Sequence, residues 1–496
     1  MAESVLVIGG GIAGLCTALA LAPTGRTVTI LERDVPPPAG DADQAFEDWN
    51  RRGVGQLRHS HAFLARLRGI IKTHHPALHA QLLEAGCREI SFLDMLPDDL
   101  RATYVPQPGD EDMAVLTSRR TTLEMVMRRY VETLDGVAIV AEAVVRALTL
   151  ETLAPGQIRV LGAEAVDGRA WTADVTIDAA GRTSQIAEQL QDAGAALIEE
   201  SEDCGILYFT RHYRLLPGQS EPGREGPPST GDLGYIKYGM FPGDNGSFSV
   251  TLAVPEIELT VRQAIVRPKV FQHICELLPG IARWTEPLRS QPISKVFGMG
   301  DLRSRWRSFV CADQRATLGF FAVGDSLVLT NPLYGRGCSF AAIEAGILCE
   351  VLEESADAAA RARLYDARVK DELTPYYDDM RSQDRMAIRR AGHALNPDYE
   401  PPLRARVLQS FVNDGLRIAM RSDIGLLRAA MRDFHMIDRP RVWIRRPANI
   451  AKALGKWARG KERNAALYPP SLGPKRVEMM EALGLEAGAA EKIAAE

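Results

Sequence analysis

The chain has 496 residues, 46% hydrophobic and 25% charged, with a net charge of −5. That size exceeds one typical domain and predicts two or three, and the charge balance gives no electrostatic footprint for nucleic acid. The seven cysteines (Cys16, Cys87, Cys204, Cys275, Cys311, Cys338 and Cys349) are odd in number, far apart and without a Cys-x-x-Cys pair, so reduced thiols in a cytoplasmic protein are expected in place of a disulfide frame or zinc site. No apolar run reaches about 18 residues, so no membrane-spanning helix is expected, and a first apolar run broken by three glycines makes a poor signal peptide.

Residues 5–32 carry the strongest signal. Residues 5–8 (Val-Leu-Val-Ile) read as a buried strand running into Gly9-Gly10-Gly11-Ile12-Ala13-Gly14. A small-residue apolar helix follows, then a second strand over 28–31 that ends at Glu32. Strand, glycine turn, helix, strand and acid in this order form a dinucleotide fingerprint. Gly9 suits the tight turn, Gly11 lets a pyrophosphate reach the backbone, and Gly14 lets helix and strand pack closely. The free N–H groups at the helix start favour phosphate, and Glu32 is placed to accept hydrogen bonds from an adenosine ribose.

Residues 33–55, with Pro36-Pro37-Pro38, read as a long surface loop. Helices are expected over 60–73, 76–86 and 120–134. Strands are expected over 137–149, 157–162 and 171–177, the last running into Asp178-Ala179-Ala180-Gly181-Arg182. Strand patterns at 204–215, 234–241, 246–254 and 291–298 form an antiparallel-looking set, with a Pro/Gly-rich connector over 216–232. A strand at 318–323 ends in Gly324-Asp325-Ser326, and Asn331-Pro332-Leu333-Tyr334-Gly335-Arg336-Gly337-Cys338-Ser339 opens an apolar helix over 340–352. Beyond about 340 the pattern is helical. The expected fold is α/β: a discontinuous Rossmann-like cofactor domain of 1–200 and 300–395, an inserted antiparallel-sheet substrate domain over 201–299, and a helical C-terminal region over 396–496.

On Gly9-x-Gly11-x-x-Gly14 with Glu32, Asp178-Ala-Ala-Gly181-Arg182, and Gly324-Asp325 with Pro332…Gly335-x-Gly337, the chain resembles the FAD-dependent monooxygenases of the aromatic-hydroxylase superfamily. More narrowly, it looks like the bacterial flavin epoxidases that act on polyenes in polyether biosynthesis. That likeness rests on Gly53-Val54-Gly55-Gln56-Leu57-Arg58-His59-Ser60-His61, on Ser118-Arg119 opening a helix, and on the 324–337 segment. It covers roughly residues 1–390. Gly55 departs from the Pro usual in the Gly-Val-Pro-Gln version of the motif.

The resemblance implies a glutathione-reductase-type FAD-binding domain and a cofactor shell of Gly9, Gly11, Ala13, Gly14, Glu32, Arg33, Arg58, Arg119, Val144, Gly324, Asp325, Pro332, Gly335, Gly337 and Cys338. Within it, Asp325 would accept from a ribityl hydroxyl and the N–H groups from Gly335 onward would meet flavin oxygens. Arg58 and Arg119 would supply cationic contacts, and the backbone of Val144 would meet the adenine. The implied reaction inserts one oxygen atom from O2 into an apolar organic substrate, by epoxidation or hydroxylation, through a flavin C4a-hydroperoxide, in secondary metabolism. Electrons would come from NAD(P)H directly or through a partner reductase.

The substrate pocket is expected on the inserted sheet, with Tyr208, Phe209, Tyr235, Tyr238, Phe241 and Phe248 as candidates, about half pointing inward, and Tyr334 beside them. No catalytic side chain is named, because the flavin carries the chemistry; a phenolic substrate would need a base. Neither His59 and His61 nor His74, His75 and His79 have the partner spacing of a zinc site, so no metal is expected. Three rival functions stay open: a flavin halogenase, whose Trp-x-Trp-x-Ile-Pro signature is absent, an FAD-dependent reductase of isoprenoid double bonds, and a flavin-binding protein without turnover. The stretch 439–463, from Arg439 to Arg463, holds nine Lys or Arg against one Glu. It reads as a solvated helical face or as a contact with an acidic membrane surface or carrier protein.

Overall fold

The structure is a computed structural model and describes residues 2–154, 156–195, 197–223, 226–311, 315–396 and 399–485. Its centre is a five-stranded parallel sheet in the order Phe320–Ala322, Val175–Asp178, Ser4–Ile8, Thr27–Leu31, Val137–Val140. Val5, Leu6, Val7 and Ile8 of the middle strand are all buried, the continuous apolar run required of a strand covered on both faces. Helices Ile12–Leu21 and Gly337–Glu354 pack against one another on this sheet. Because every strand runs the same way, the turns after Ile8, Leu31, Asp178 and Ala322 emerge along one edge, where α/β folds bind ligands.

Two glycines of the first turn are fixed by packing. Gly9 has φ +108°, and a Cβ there would lie 2.5 Å from the carbonyl oxygen of Ala179. A Cβ on Gly14 would lie 1.9 Å from the carbonyl oxygen of Gly9.

A six-stranded antiparallel sheet forms the second layer, in the order Thr230–Asp232, Lys237–Pro242, Ser247–Pro255, Ile206–Leu215, Ser290–Pro292, with Phe297–Met299 also on Ile206–Leu215. One face carries Phe209, Tyr213, Phe248, Val250 and Leu252 into an apolar core. That core is closed by helices Leu259–Ala264, Pro268–Leu277 and Pro279–Thr285, between two of the expected strands, and by Met479 and Met480. The 38-residue helix Ala358–Leu395 and a set of shorter helices complete the chain.

Three expectations are corrected. Residues 33–55 are not simply a surface loop. They contain helix Ala42–Asp48, capped by the Asp41 carboxylate, which accepts from the N–H groups of Asp43 and Gln44 at 3.0 Å each, and Phe46 and Trp49 are buried beneath it. The helix expected from residue 60 begins at Ala65, because the Ser60 hydroxyl hydrogen-bonds Ser249 of the antiparallel sheet (2.7 Å) and Ala62–Phe63 pairs with Val115–Thr117. The strand expected over 137–149 is two: Val137–Val140 in the parallel sheet and Val145–Ala154 in a separate antiparallel one.

The layers are joined by a buried ion pair. Asp244, in the turn before Ser247–Pro255, is fully buried and accepts from the backbone N–H of Arg119 (2.8 Å), its Nε (3.0 Å) and its Nη2 (2.5 Å). Burial pushes the Asp244 carboxyl up, but the Arg119 bonds outweigh it and hold the group below the usual carboxylate range. Arg119→Ala would strand that charge, and urea denaturation should show a loss of about 3–5 kcal/mol.

Candidate functional site

One cavity of about 640 Å³ runs along the edge where the parallel strands end, within the roughly 300–1,000 Å³ of small-molecule and cofactor sites. At one end its wall holds Gly9, Gly11, Ile12, Ala13, Glu32, Arg33 and Val144; the middle is Ala179 to Arg182 and Gly324-Asp325; Pro332, Tyr334, Gly335, Gly337 and Cys338 follow. Gly11 meets the space differently from its neighbours: a Cβ there would find nothing within 4 Å. Close packing therefore does not explain Gly11, whereas a group approaching the backbone does. The helix it opens has no side-chain cap, and neither has Gly337–Glu354 at its start. Two uncapped N-termini thus face one cavity, each a locus of positive dipole and free N–H groups. This arrangement fits an extended anionic cofactor with an electron-rich ring system.

The carboxylates of the site are held in place. Glu32 Oε2 accepts from the N–H of Gly10 (2.8 Å) and from Arg51 Nη2 (2.5 Å), while Oε1 accepts from Asp34 N–H (2.8 Å). Glu344 is fully buried under the second turn and accepts from the N–H of Gly324; burial drives its carboxyl well above the ordinary range. Burial also raises Asp325, against the opposing charges of Arg120, Arg182 and Arg305. Arg336 stiffens the 332–337 turn by lying over Tyr334 and Tyr376 and pairing with Asp379 at 3.5 Å.

The two arginines expected to touch the cofactor are placed elsewhere. Arg119 is spent on Asp244 and Asp43, and Arg58 donates to the carbonyls of Phe46, Glu47 and Trp49. Neither lines the cavity; Arg33, Arg51, Arg120 and Arg182 do. Arg120 is one residue beyond Arg119, on the turn of helix Arg120–Val131 that it shares with its partner Glu124. The tandem Arg119-Arg120 hid this, although an Arg–Glu pair four apart marks one helix face. Arg51, buried and paired with Glu32 and Glu124, carries no sequence signal beyond its place in the loop after Glu32. Gly14 borders helix and strand rather than the cavity.

The far end of the cavity meets the open face of the antiparallel sheet. Cross-strand register puts Tyr208, Thr210, Lys237, Phe241, Thr251 and Ala253 on that face. Phe209, Tyr235 and Phe248 point into the opposite core, and the Tyr235 hydroxyl is held by the carbonyl of Pro474; these three leave the expected pocket set. Tyr238 borders the cavity with its hydroxyl on the carbonyl of Leu472. Sequence reasoning missed a polar network there. Tyr208 donates to Asn331 Oδ1 (2.7 Å), Asn331 Nδ2 to Asp384 Oδ1 (2.8 Å), and Tyr334 to the same Asp384 oxygen (2.8 Å).

His59 and His61 line the cavity and His212 lies behind them. Burial, with the nearby Arg120 charge for His61, depresses them to about 4, 3 and 3 respectively, so all three are neutral near pH 7.

The comparisons agree with this geometry. Residues 4–225 match the family model described as FAD dependent oxidoreductase. A Mycobacterium tuberculosis protein, Protein Rv3254, is 28% identical over 373 residues, 71% of this chain and 73% of its own length. Among solved structures, flavin-dependent brominase Bmp2 is similar with a TM-score of 0.59 at 17% identity, over 92% of this chain and all of its own. PqsL of Pseudomonas aeruginosa, described as a probable FAD-dependent monooxygenase, gives 0.53 at 16%, over 79% of this chain and 99% of its own. The p-nitrophenol 4-monooxygenase PnpA of Pseudomonas putida gives 0.55 at 15%, over 89% and 99%. The chain is an enzyme with an FAD-binding Rossmann-like domain.

Three outcomes test the site. Gly11→Val should fold, by circular dichroism, and lose FAD binding, by equilibrium dialysis. Asp325→Ala should weaken FAD by about 1.5–3 kcal/mol if a charge-assisted bond is lost. The unfolded chain protonates His212 as the pH falls below about 6.5, while the folded chain resists until near 3. Stability is therefore present above 6.5 and lost on acidification, and His212→Gln should shrink the drop in urea stability between about pH 7.5 and pH 5 by ~2 kcal/mol.

Proposed function

We propose that this chain is an FAD-dependent monooxygenase that transfers one oxygen atom of O2 to an apolar organic substrate, by epoxidation or hydroxylation, in cytoplasmic secondary metabolism. The observation that carries the reading is the single cavity that joins two uncapped helix N-termini to the open face of a second sheet. When bound, FAD supplies the redox and oxygen-activating chemistry. The residues of this chain bind and orient it: Gly11, Ile12 and Ala13 by their backbone, Glu32 toward the ribose, Arg51 and Arg120 as cations, and Asp325 toward the ribityl chain. Gly335, Gly337 and Cys338 would lie against the ring.

The sheet face of Tyr208, Phe241 and Ala253 would hold the substrate and keep water from the reacting atoms. The epoxidase resemblance of the 53–61 and 324–337 segments favours a long, unsaturated substrate. Electrons would come from NAD(P)H, directly or through a reductase.

The test is the visible spectrum of the FAD-loaded protein before and after anaerobic NADPH, then air, with and without a reductase and a polyene. Bleaching followed by oxygen consumption coupled to a substrate gaining one oxygen atom is the expected result. Chloride- or bromide-dependent product would establish the halogenase reading instead, and turnover that needs no oxygen would establish the double-bond reductase.

A further inference from the structure

Of the nine cations in residues 439–463, Arg439, Arg441, Lys452 and Lys461 pair with Asp371, Asp379, Asp423 and Asp414. Arg445, Arg446, Lys456, Arg459 and Arg463 pair with no described residue, so a local positive patch stands on a chain whose net charge is −5.

The helix that carries much of it, Pro447–Arg463, leaves the helical path at Gly460 (φ +76°) and is buried only at Ala453, against the 411–416 turn. At 100° per residue, the stretch before that break presents Ala448, Ala451, Gly455 and Ala458 on the side opposite Ala453, all exposed and none charged. One flank adds Ile450 and Leu454, 39% and 44% exposed; the other adds Lys456 and Arg459. A solvated helix places its charges outward. This helix instead turns a neutral, apolar surface outward and keeps its cations at the side, the pattern of a helix lying in a membrane interface. No helix among the described residues is long and apolar enough to cross a membrane.

The patch reaches the cavity. Phe434 is 46% exposed and also lines the cavity wall. Its neighbour Asp433 accepts from the N–H of Arg441 (2.8 Å) and from Trp443 Nε1 (2.9 Å), which ties the segment holding Val442, also 46% exposed, to the end of the helix that carries Phe434.

We infer that this C-terminal face docks on an anionic lipid bilayer, cations on the headgroups and the outer side of Pro447–Arg463 in the acyl boundary, so that an apolar substrate enters from the lipid past Phe434. The substrate route rests on the function proposed above; the docking does not, and is measured without turnover.

The full-length FAD-loaded protein is sedimented with vesicles of phosphatidylcholine alone or with about 30% phosphatidylglycerol, at low and high salt. Binding to the anionic vesicles at least about tenfold tighter than to the neutral ones, and weakened by salt, is expected. Loss of about tenfold is expected in the variant carrying Arg445→Gln, Arg446→Gln, Lys456→Gln and Arg459→Gln, and likewise in Ile450→Ser with Leu454→Ser, with circular dichroism unchanged in both. In a Phe434→Trp variant, brominated lipid should quench emission beyond that of the parent. Binding to neither vesicle, equal binding to both, or a charge variant that binds like the parent overturns the inference. Binding to soluble polyglutamate as tight as to the anionic vesicles also overturns it, and moves the face to an acidic protein.

Discussion

A Cβ on Gly14 would collide with the carbonyl oxygen of Gly9, so the first helix stands on its strand with no room between them. That contact sets the height at which Ile12–Leu21 begins and the direction of its first N–H groups. It also holds Gly9 in a backbone conformation that L side chains rarely adopt, pressed against Ala179 just past the end of the neighbouring strand. Helix Gly337–Glu354 packs along the first and begins on the same side. Each start leaves orphan N–H groups that no side chain caps. A fold that aims two such ends at one concave space is built for a ligand with acceptors at both ends. The open surroundings of Gly11, between two glycines with no room at all, leave its backbone as the place where such a ligand could come closest.

Buried charge around the cavity is balanced in two ways that differ by one residue. Arg119 faces the second layer and neutralises Asp244, whose position in a tight turn gives the sheet a fixed anchor on the first domain. Arg120 begins the helix, faces the cavity and shares Glu124 with Arg51. A guanidinium that is spent on a buried carboxylate has few donors left for a cofactor, whereas one at a cavity wall keeps several. The same logic separates Arg58, tied to three carbonyls, from Arg33 and Arg182, which remain at the wall.

Elements whose pattern is local were legible in the sequence. The strand 5–8, the glycine turn, the helix after it and Glu32 are specified by adjacent residues, and the parallel sheet follows from them. So do the 324–338 turn and the apolar helix it opens. What was not legible depends on partners far along the chain. Ser60 lies outside the helix, its hydroxyl bonded to Ser249, and Phe46 and Trp49 make residues 33–55 a packed segment under a short capped helix. The choice between Arg119 and Arg120 is a matter of helix phase, which a tandem pair conceals. Of the aromatic set on the inserted sheet, strand alternation predicted that half would face away, but only the pairing of Tyr208 with Ala253 and Phe241 with Ser249 says which half.

The Asp384 network turns the two layers into one site. Tyr208 comes from the antiparallel sheet, Asn331 and Tyr334 from the turn that precedes the second uncapped helix, and Asp384 from the 38-residue helix behind them. Asp384 is buried, and its carboxyl is raised by that burial even against the hydrogen bonds of Tyr334 and Asn331. Its second oxygen finds no hydrogen-bond partner among the described residues. A buried carboxylate with such neighbours tolerates little displacement, because each lost bond leaves another polar group unsatisfied. The sheet face that would carry substrate therefore cannot shift relative to the cofactor turn without breaking bonds in the interior. On the proposed function, substrate registration over the cofactor would then be a property of the packed interior, set by three hydrogen bonds, and not of the loops at the mouth.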